Sequence, residues 1–261
     1  MGSSAKLKAQ FLTNHPICCF CGGVAPSVEP DHIPSRVFFK DRQWPEGYIF
    51  PACVSCNRAT RYDEQIVAML ARLSPFTESE IEQNEMQQIM TAVARNHPEI
   101  IQELHPSVRQ IRRAIRQYGL EVPQGVASID LPMLSVSGPL INSAVESFGR
   151  KLFLALYYKH TGNILSVEGG VALKWFANIQ LENGAIPDNL MGLLGGVPEL
   201  VRNTTMLNEQ FFYRYVVTDT NRDAAFLVFF RKSFGMLGWI KHDGDFSIQT
   251  GATILRPFNH Q

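Results

Sequence analysis

Apolar residues first recur at helical spacing after Asn57, where Ile66, Val67, Leu70 and Leu73 fall on one side of a 3.6-residue period. In "SPFTESE", Thr77 stands three residues before Glu80, a capping-box pair that predicts a helix over about 78–96. "HPE" breaks that helix, and a short one follows to about 104. His97 and His105 each precede a proline and read as helix-boundary residues. In "VRQIRRAIRQYGL", Val108, Ile111, Ala114 and Ile115 make an apolar stripe, and Arg109, Arg112, Arg113 and Arg116 make the opposite face at i, i+3, i+4 and i+7. Gly119 is placed to end this helix as a C-cap. Residues 139–160 read as an amphipathic helix through Leu140, Ala144, Phe148, Leu152 and Leu156, ended near Gly162.

The period then changes. "GAIPDNLMGLLGGVPEL" is irregular, and "QFFYRYVVTD", "AAFLVFFRK", "FGMLGWIKHD" and "SIQTGATIL" read as strands of an antiparallel meander. The aromatic residues among them, Phe211, Phe212, Tyr213, Phe229 and Phe230, read as sheet core. At the other end, Pro16, Gly22, Gly23, Pro26, Pro30, Pro34 and Pro45 make a loop-rich start. The pattern predicts an α+β protein in three parts: a distinct unit over 1–75, a helical connector over 76–120, and a helix packed on an antiparallel sheet over 121–261.

Composition removes some functions. Twenty-four basic residues balance 24 acidic ones, so nucleic-acid contact has to come from local patches rather than from the global field. No apolar run reaches the roughly 18 residues that span a bilayer. The first residues lack the apolar core of a signal peptide. The expectation is a cytoplasmic chain with reduced thiols and no membrane partner.

All five cysteines lie between 18 and 56. Cys18-x-x-Cys21 and Cys53-x-x-Cys56 are two knuckles separated by 31 residues, and two such pairs satisfy tetrahedral Zn²⁺ as a structural site. Cys19 is left over, because Cys18 keeps the two-residue spacing. Free buried cysteines would explain neither the matched spacing nor the cysteine-free remainder. Between and after the knuckles lie "EPDHIPSRVFF" and "CNRATRYDE", so zinc would tie Asn57 to the same small unit as Asp31 and His32. A carboxylate and an amide oxygen are hard ligands suited to Mg²⁺. A neutral imidazole beside them can take a proton from water. Together they suit phosphodiester hydrolysis, where one group makes the nucleophile and a metal steadies the phosphate.

"CxxC" at 18–21, "DHIP" at 31–34 and "PACVSCN" at 51–57 resemble the HNH endonuclease family, in its branch with a zinc-holding pair around a ββα-metal motif. The resemblance covers about 45 of the 261 residues. It implies a β-hairpin followed by a helix that clamp one catalytic divalent ion, Mg²⁺ or a similar cation. By position, His32 matches the general base, Asp31 the preceding metal ligand and Asn57 the last metal ligand of the motif. Four residues later stands Arg61, which is suited to the scissile phosphate rather than to a cation. The motif's central Asn, nine residues before Asn57, is Tyr48 here. The resemblance also implies nucleic acid, DNA foremost, as the partner, and it is compatible with roles in restriction or phage defence.

Other residues carry two readings each. Glu64, one turn beyond Arg61, is either turned to the metal or a solvated surface acid. Arg36, four residues after His32, is a phosphate contact or a surface charge. The face of Arg109, Arg112, Arg113 and Arg116 is either solvated or a track for a DNA backbone. The C-terminal part is left with dimerisation, target recognition or docking of a partner protein. The competing reading of the whole chain is a non-catalytic zinc-knuckle module that binds nucleic acid or protein through a degenerate HNH centre.

Overall fold

The computed structural model describes residues 3–73, 79–127, 130–131, 133–177, 192, 194–220, 222–231, 234–246 and 251–259. After helix α1 (Ser3–Asn14), strands β1 (Glu29–His32) and β2 (Ile49–Ala52) pair antiparallel, with Asp31 opposite Phe50 and His32 opposite Ile49. Helix α2 (Val54–Ala59) begins one residue after β2. Its N-cap is Cys53, whose sulfur accepts a hydrogen bond from the Cys56 amide at 3.5 Å. Helix α3 (Arg61–Leu70) continues after a break at Thr60.

Three helices follow. Helix α4 (Glu80–Asn96) is capped by Ser79, whose hydroxyl accepts from the Glu82 amide at 3.2 Å. Thr77 of the expected capping box lies outside the described residues. His97 caps the end of α4 and leads into α5 (Pro98–Glu103), as its place before a proline predicts. Helix α6 (Val108–Tyr118) opens on a capping box of Ser107 and Gln110 and closes on Gly119 at φ 61°. The left-handed conformation there is one that a glycine adopts without cost.

Helix α7 (Pro139–Thr161) ends on Gly162, as the pattern predicts. Its burial departs from the expected stripe. Leu140 is exposed, while Ile141, Val145, Lys151, Phe153 and Tyr157 are buried beside Ala144, Phe148, Leu152 and Leu156. The helix is enclosed on more than one side, because a sheet covers one face and α3 another. Gly149 marks the closest approach, since a Cβ there would lie 2.3 Å from Leu173 Cδ1.

The large sheet contains β3 (Gly170–Ala177), β6 (Phe211–Val217), β7 (Ala224–Phe230), β8 (Phe234–Lys241) and β9 (Thr253–Leu255). A two-residue pair, β4 (Val201–Arg202) with β5 (Thr205–Met206), lies apart from it. The sheet order is β6-β7-β8-β3-β9, with every neighbouring pair antiparallel. This corrects the simple meander. Strand β3 inserts between β8 and β9, so that Val171 faces Ile240 on one side and Leu255 on the other. "GVALKWFA" has no clean alternation in its buried first half, so periodicity alone does not mark it as a strand.

The loop-rich start does not build its core alone. Phe148 of α7 stacks on Phe38 at 4.8 Å between ring centroids and meets Phe230 of β7 at 5.8 Å. Most buried apolar residues from Cys18 to Phe258 belong to one continuous cluster, and Leu194, Leu227 and Phe229 form a smaller second one. Phe148→Ala should lower unfolding free energy by about 3–5 kcal/mol, the usual cost of a deleted core phenylalanine. Urea unfolding of the intact chain measures it. A loss below about 1 kcal/mol would mean that this junction carries little of the stability.

Candidate active site

The four knuckle cysteines meet. Cys18, Cys21, Cys53 and Cys56 are all buried, and their sulfurs lie within 4.8 Å of one another. Local backbone sets this up. Gly22 and Gly23 take φ of 68° and 78°, which turns the chain back after Cys21 so that the Cys18 amide reaches the Ala25 carbonyl at 3.0 Å. On the other side, the first turn of α2 brings Cys53 and Cys56 together. Hydrogen bonding with Cys56 is the chief cause that draws the Cys18 thiol down to about 5, whereas burial pushes Cys21 up to about 11. Four soft sulfurs within 4.8 Å of one another suit a structural metal such as zinc. Cys19 stands outside this set. Burial raises its thiol well above the ordinary value.

Beside the cluster opens a cleft of about 400 Å³. Asp31 and His32 enter it from the end of β1, Ser35, Arg36 and Arg42 from the loop that joins β1 to β2, and Arg61 and Glu64 from α3. His32 Nε2 lies 3.4 Å from an Arg36 nitrogen. A guanidinium only donates, so Nε2 is the accepting nitrogen and the ring proton of the neutral imidazole sits on Nδ1. The His32 and Trp44 rings stand at 87° to each other with their centroids 4.6 Å apart. Arg36 lies over the Trp44 ring at 3.9 Å and Arg202, from β4, at 4.1 Å. Burial first, then the charges of Arg36 and Arg202, bring the His32 imidazole down to about 4. It is therefore uncharged throughout the neutral range.

Asp31 is held by a residue that the sequence reading did not single out. Lys151, at the middle of α7, is 0% exposed, and its Nζ lies 2.7 Å from Asp31 Oδ2. Nζ also donates to the Thr60 hydroxyl at 3.1 Å and to the Asn57 carbonyl at 3.2 Å, and it lies 3.6 Å from Glu64 Oε1. Burial pushes the Asp31 carboxyl up to about 6, against the pull of Lys151, and Glu64 adds to the rise. Glu64 is buried, so its reading as a solvated surface acid is corrected. The Thr60 hydroxyl donates to it at 2.6 Å.

The sequence-chosen residues are thus partly assembled. Asp31, His32, Arg36 and Arg61 line one cleft. The Asn57 side chain turns elsewhere, and its Nδ2 donates to Glu29 Oε2. Tyr48 does not brace the imidazole as the motif's Asn would. Its carbonyl accepts from the Ile33 amide at 3.3 Å, and its hydroxyl bonds the Tyr213 hydroxyl at 2.7 Å, which in turn meets His160 Nε2 at 2.8 Å. Tyr48 therefore ties the hairpin to β6 and α7. Arg109, Arg112, Arg113 and Arg116 are exposed on α6, and none forms an ion pair among the described residues. They do not line the cleft.

Lys151, Arg42, Trp44 and Arg202 were missed. A signal existed for Lys151: it lies three residues after Phe148, on the same side of the helix, and directly before the apolar stretch "LFLALYY". For Arg202 no local signal existed, since its place depends on a hairpin about 170 residues away from His32.

Metal analysis of the purified chain should show about one equivalent of a structural metal, from four-coordinate stoichiometry. Cys56→Ser should lose it, whereas Cys19→Ser should keep it. Equal loss in both variants would mean that the ligand set is misassigned. The His32 ring, followed by NMR, should titrate near 4, well below the ordinary 6.5, and Arg36→Gln should move it upward by removing a neighbouring positive charge. A titration that ignores Arg36→Gln would sever the electrostatic link between the two residues. Compared with known proteins, the chain matches no family model, no curated relative and no solved structure, so its chemistry is read from this geometry.

Proposed function

We propose that the cleft is the centre of an HNH-type endonuclease that hydrolyses phosphodiester bonds of nucleic acid, DNA foremost. The observation that carries this reading is a neutral imidazole with its accepting nitrogen in a cleft lined by Arg36, Arg42 and Arg61. With Arg36 turned from Nε2 to the phosphate, His32 Nε2 takes the proton of a water; that water's oxygen bonds to phosphorus as the P–O bond to the 3′ oxygen breaks, and the leaving oxygen takes a proton from solvent. The guanidinium groups hold the phosphate and offset the charge that grows on it in the transition state. Zinc on the four cysteines is the structural metal, and it pins β1 and α2 in place beside the cleft. The arginine face of α6 extends the contact with the nucleic-acid backbone.

The family resemblance adds a divalent ion such as Mg²⁺ on Asp31 and Asn57. These two side chains do not fit that role together. Asp31 is turned to the Lys151 ammonium and the Asn57 amide to Glu29, so no step is derived through an ion on this pair. The same observation favours a second reading, a zinc-knuckle module that binds nucleic acid without cutting it.

A plasmid-nicking assay in Mg²⁺ or Mn²⁺ separates the two. Wild type should nick, and His32→Ala should lose activity by about 10²–10⁴, the usual worth of a positioned base. Metal content should stay as in wild type, because His32 is outside the cysteine set, and DNA binding should change little, because the guanidinium groups that hold the phosphate remain. Wild-type cleavage by His32→Ala would move the activity to another centre. DNA binding with no cleavage by wild type would give the chain to the second reading.

A further inference from the structure

We propose that Lys151 is the fixed cation of this centre: its ammonium fills a cage of protein oxygens, so that the Asp31 carboxylate takes no divalent ion in the native chain. The inference rests on the proposed reading only in taking the cleft as the working site. Its test reads ion binding rather than cleavage.

A lysine ammonium has three N–H donors. Here Nζ donates to the Thr60 hydroxyl at 3.1 Å and to the backbone carbonyl of Asn57 at 3.2 Å, and it pairs by charge with Asp31 Oδ2 at 2.7 Å. A second carboxylate, Glu64, adds its charge at 3.6 Å. Thr60 completes the wiring, since its hydroxyl accepts from Lys151 and donates to Glu64 at 2.6 Å. The side chain has no solvent contact, and Phe20 of the first knuckle presents its ring 5.6 Å from Nζ. Two carboxylates, a hydroxyl and a carbonyl are also the donor set of a hard divalent cation. In this fold the set is already spent on a cation that the chain supplies covalently, from the middle of a buried helix. An ion on Asp31 Oδ2 would have to displace an ammonium that is itself out of contact with solvent.

Lys151 thereby acts as a positioning residue. It holds Asp31 at the end of β1, one residue before His32, and ties that strand to the end of α2 and to α3. Its side chain reaches these groups from α7, so the helix on the sheet sets the geometry of the cleft.

The experiment is Mn²⁺ binding by electron paramagnetic resonance on the intact chain with its structural metal in place. Wild type and Asp31→Asn should bind Mn²⁺ alike. Lys151→Met, which keeps length and removes charge, should gain about one Mn²⁺ per chain from the opened oxygen cage, and the double variant Lys151→Met/Asp31→Asn should lose it again. An Mn²⁺ site in wild type that Asp31→Asn removes would overturn the proposal, as would a folded Lys151→Met that gains none. Should Lys151→Met not fold, wild type labelled with ¹⁵N-lysine answers alone. The Lys151 ammonium, assigned by its loss in Lys151→Arg, should give a slowly exchanging signal that millimolar Mg²⁺ leaves in place, and a signal displaced by Mg²⁺ overturns the proposal. A chain that nicks no DNA yet keeps this signal sinks the hydrolase reading and leaves the fixed cation standing.

Discussion

A charged amine removed from water must find oxygen for every N–H, and the cost of leaving one unmet is far larger than the gain from any single apolar contact. Lys151 puts this constraint on the whole molecule. Its Nζ is met by side chains or carbonyls from β1, from α2 and from the turn between α2 and α3, with Glu64 of α3 close by. These pieces lie about 90–120 residues away in sequence. None of them can shift without stranding the ammonium, so one buried side chain couples the placement of the hairpin, two short helices and α7.

The cysteine cluster answers the same need from the other side. Residues 15–60 hold little regular structure beyond a hairpin of two four-residue strands and a six-residue helix, too little to bury a core of their own. A metal held by the four cysteines would fix the two ends of that segment. α7 supplies the apolar surface the segment lacks, chiefly through Phe148 against Phe38. Tyr48 adds a polar anchor, since its hydroxyl joins the Tyr213 and His160 chain. The cysteine cluster, apolar stacking and a buried hydrogen-bond chain thus act on different points of one loop-rich stretch.

Electrostatics in the cleft follow from that scaffold. Trp44 keeps two guanidinium groups, Arg36 and Arg202, over its ring, where each gains from the aromatic face while both remain near His32. Their charges and the partial burial of the ring hold the imidazole neutral. A site that collects cations around a neutral base suits a polyanionic ligand, and the protein's zero net charge shows that this bias is local.

What could be read along the chain was whatever a few neighbouring residues decide. Two C-x-x-C pairs state a metal cluster, because the spacing alone lets two sulfurs face one point. Gly119 and Gly162 state helix ends, because a left-handed residue is a local property. The adjacency of Asp31 and His32 placed both at the cleft. Tertiary structure decided the rest. β3 slots between β8 and β9 by pairing across about 70 residues. Asn57 faces Glu29 rather than Asp31, because a side chain goes to whichever partner the packed backbone brings near. Lys151 is one of several charges along its helix, next to Arg150, and its role depends on four oxygens assembled from distant segments. Short-range geometry is written in residue spacing, but the partner of a buried charge exists only once the chain has closed around it.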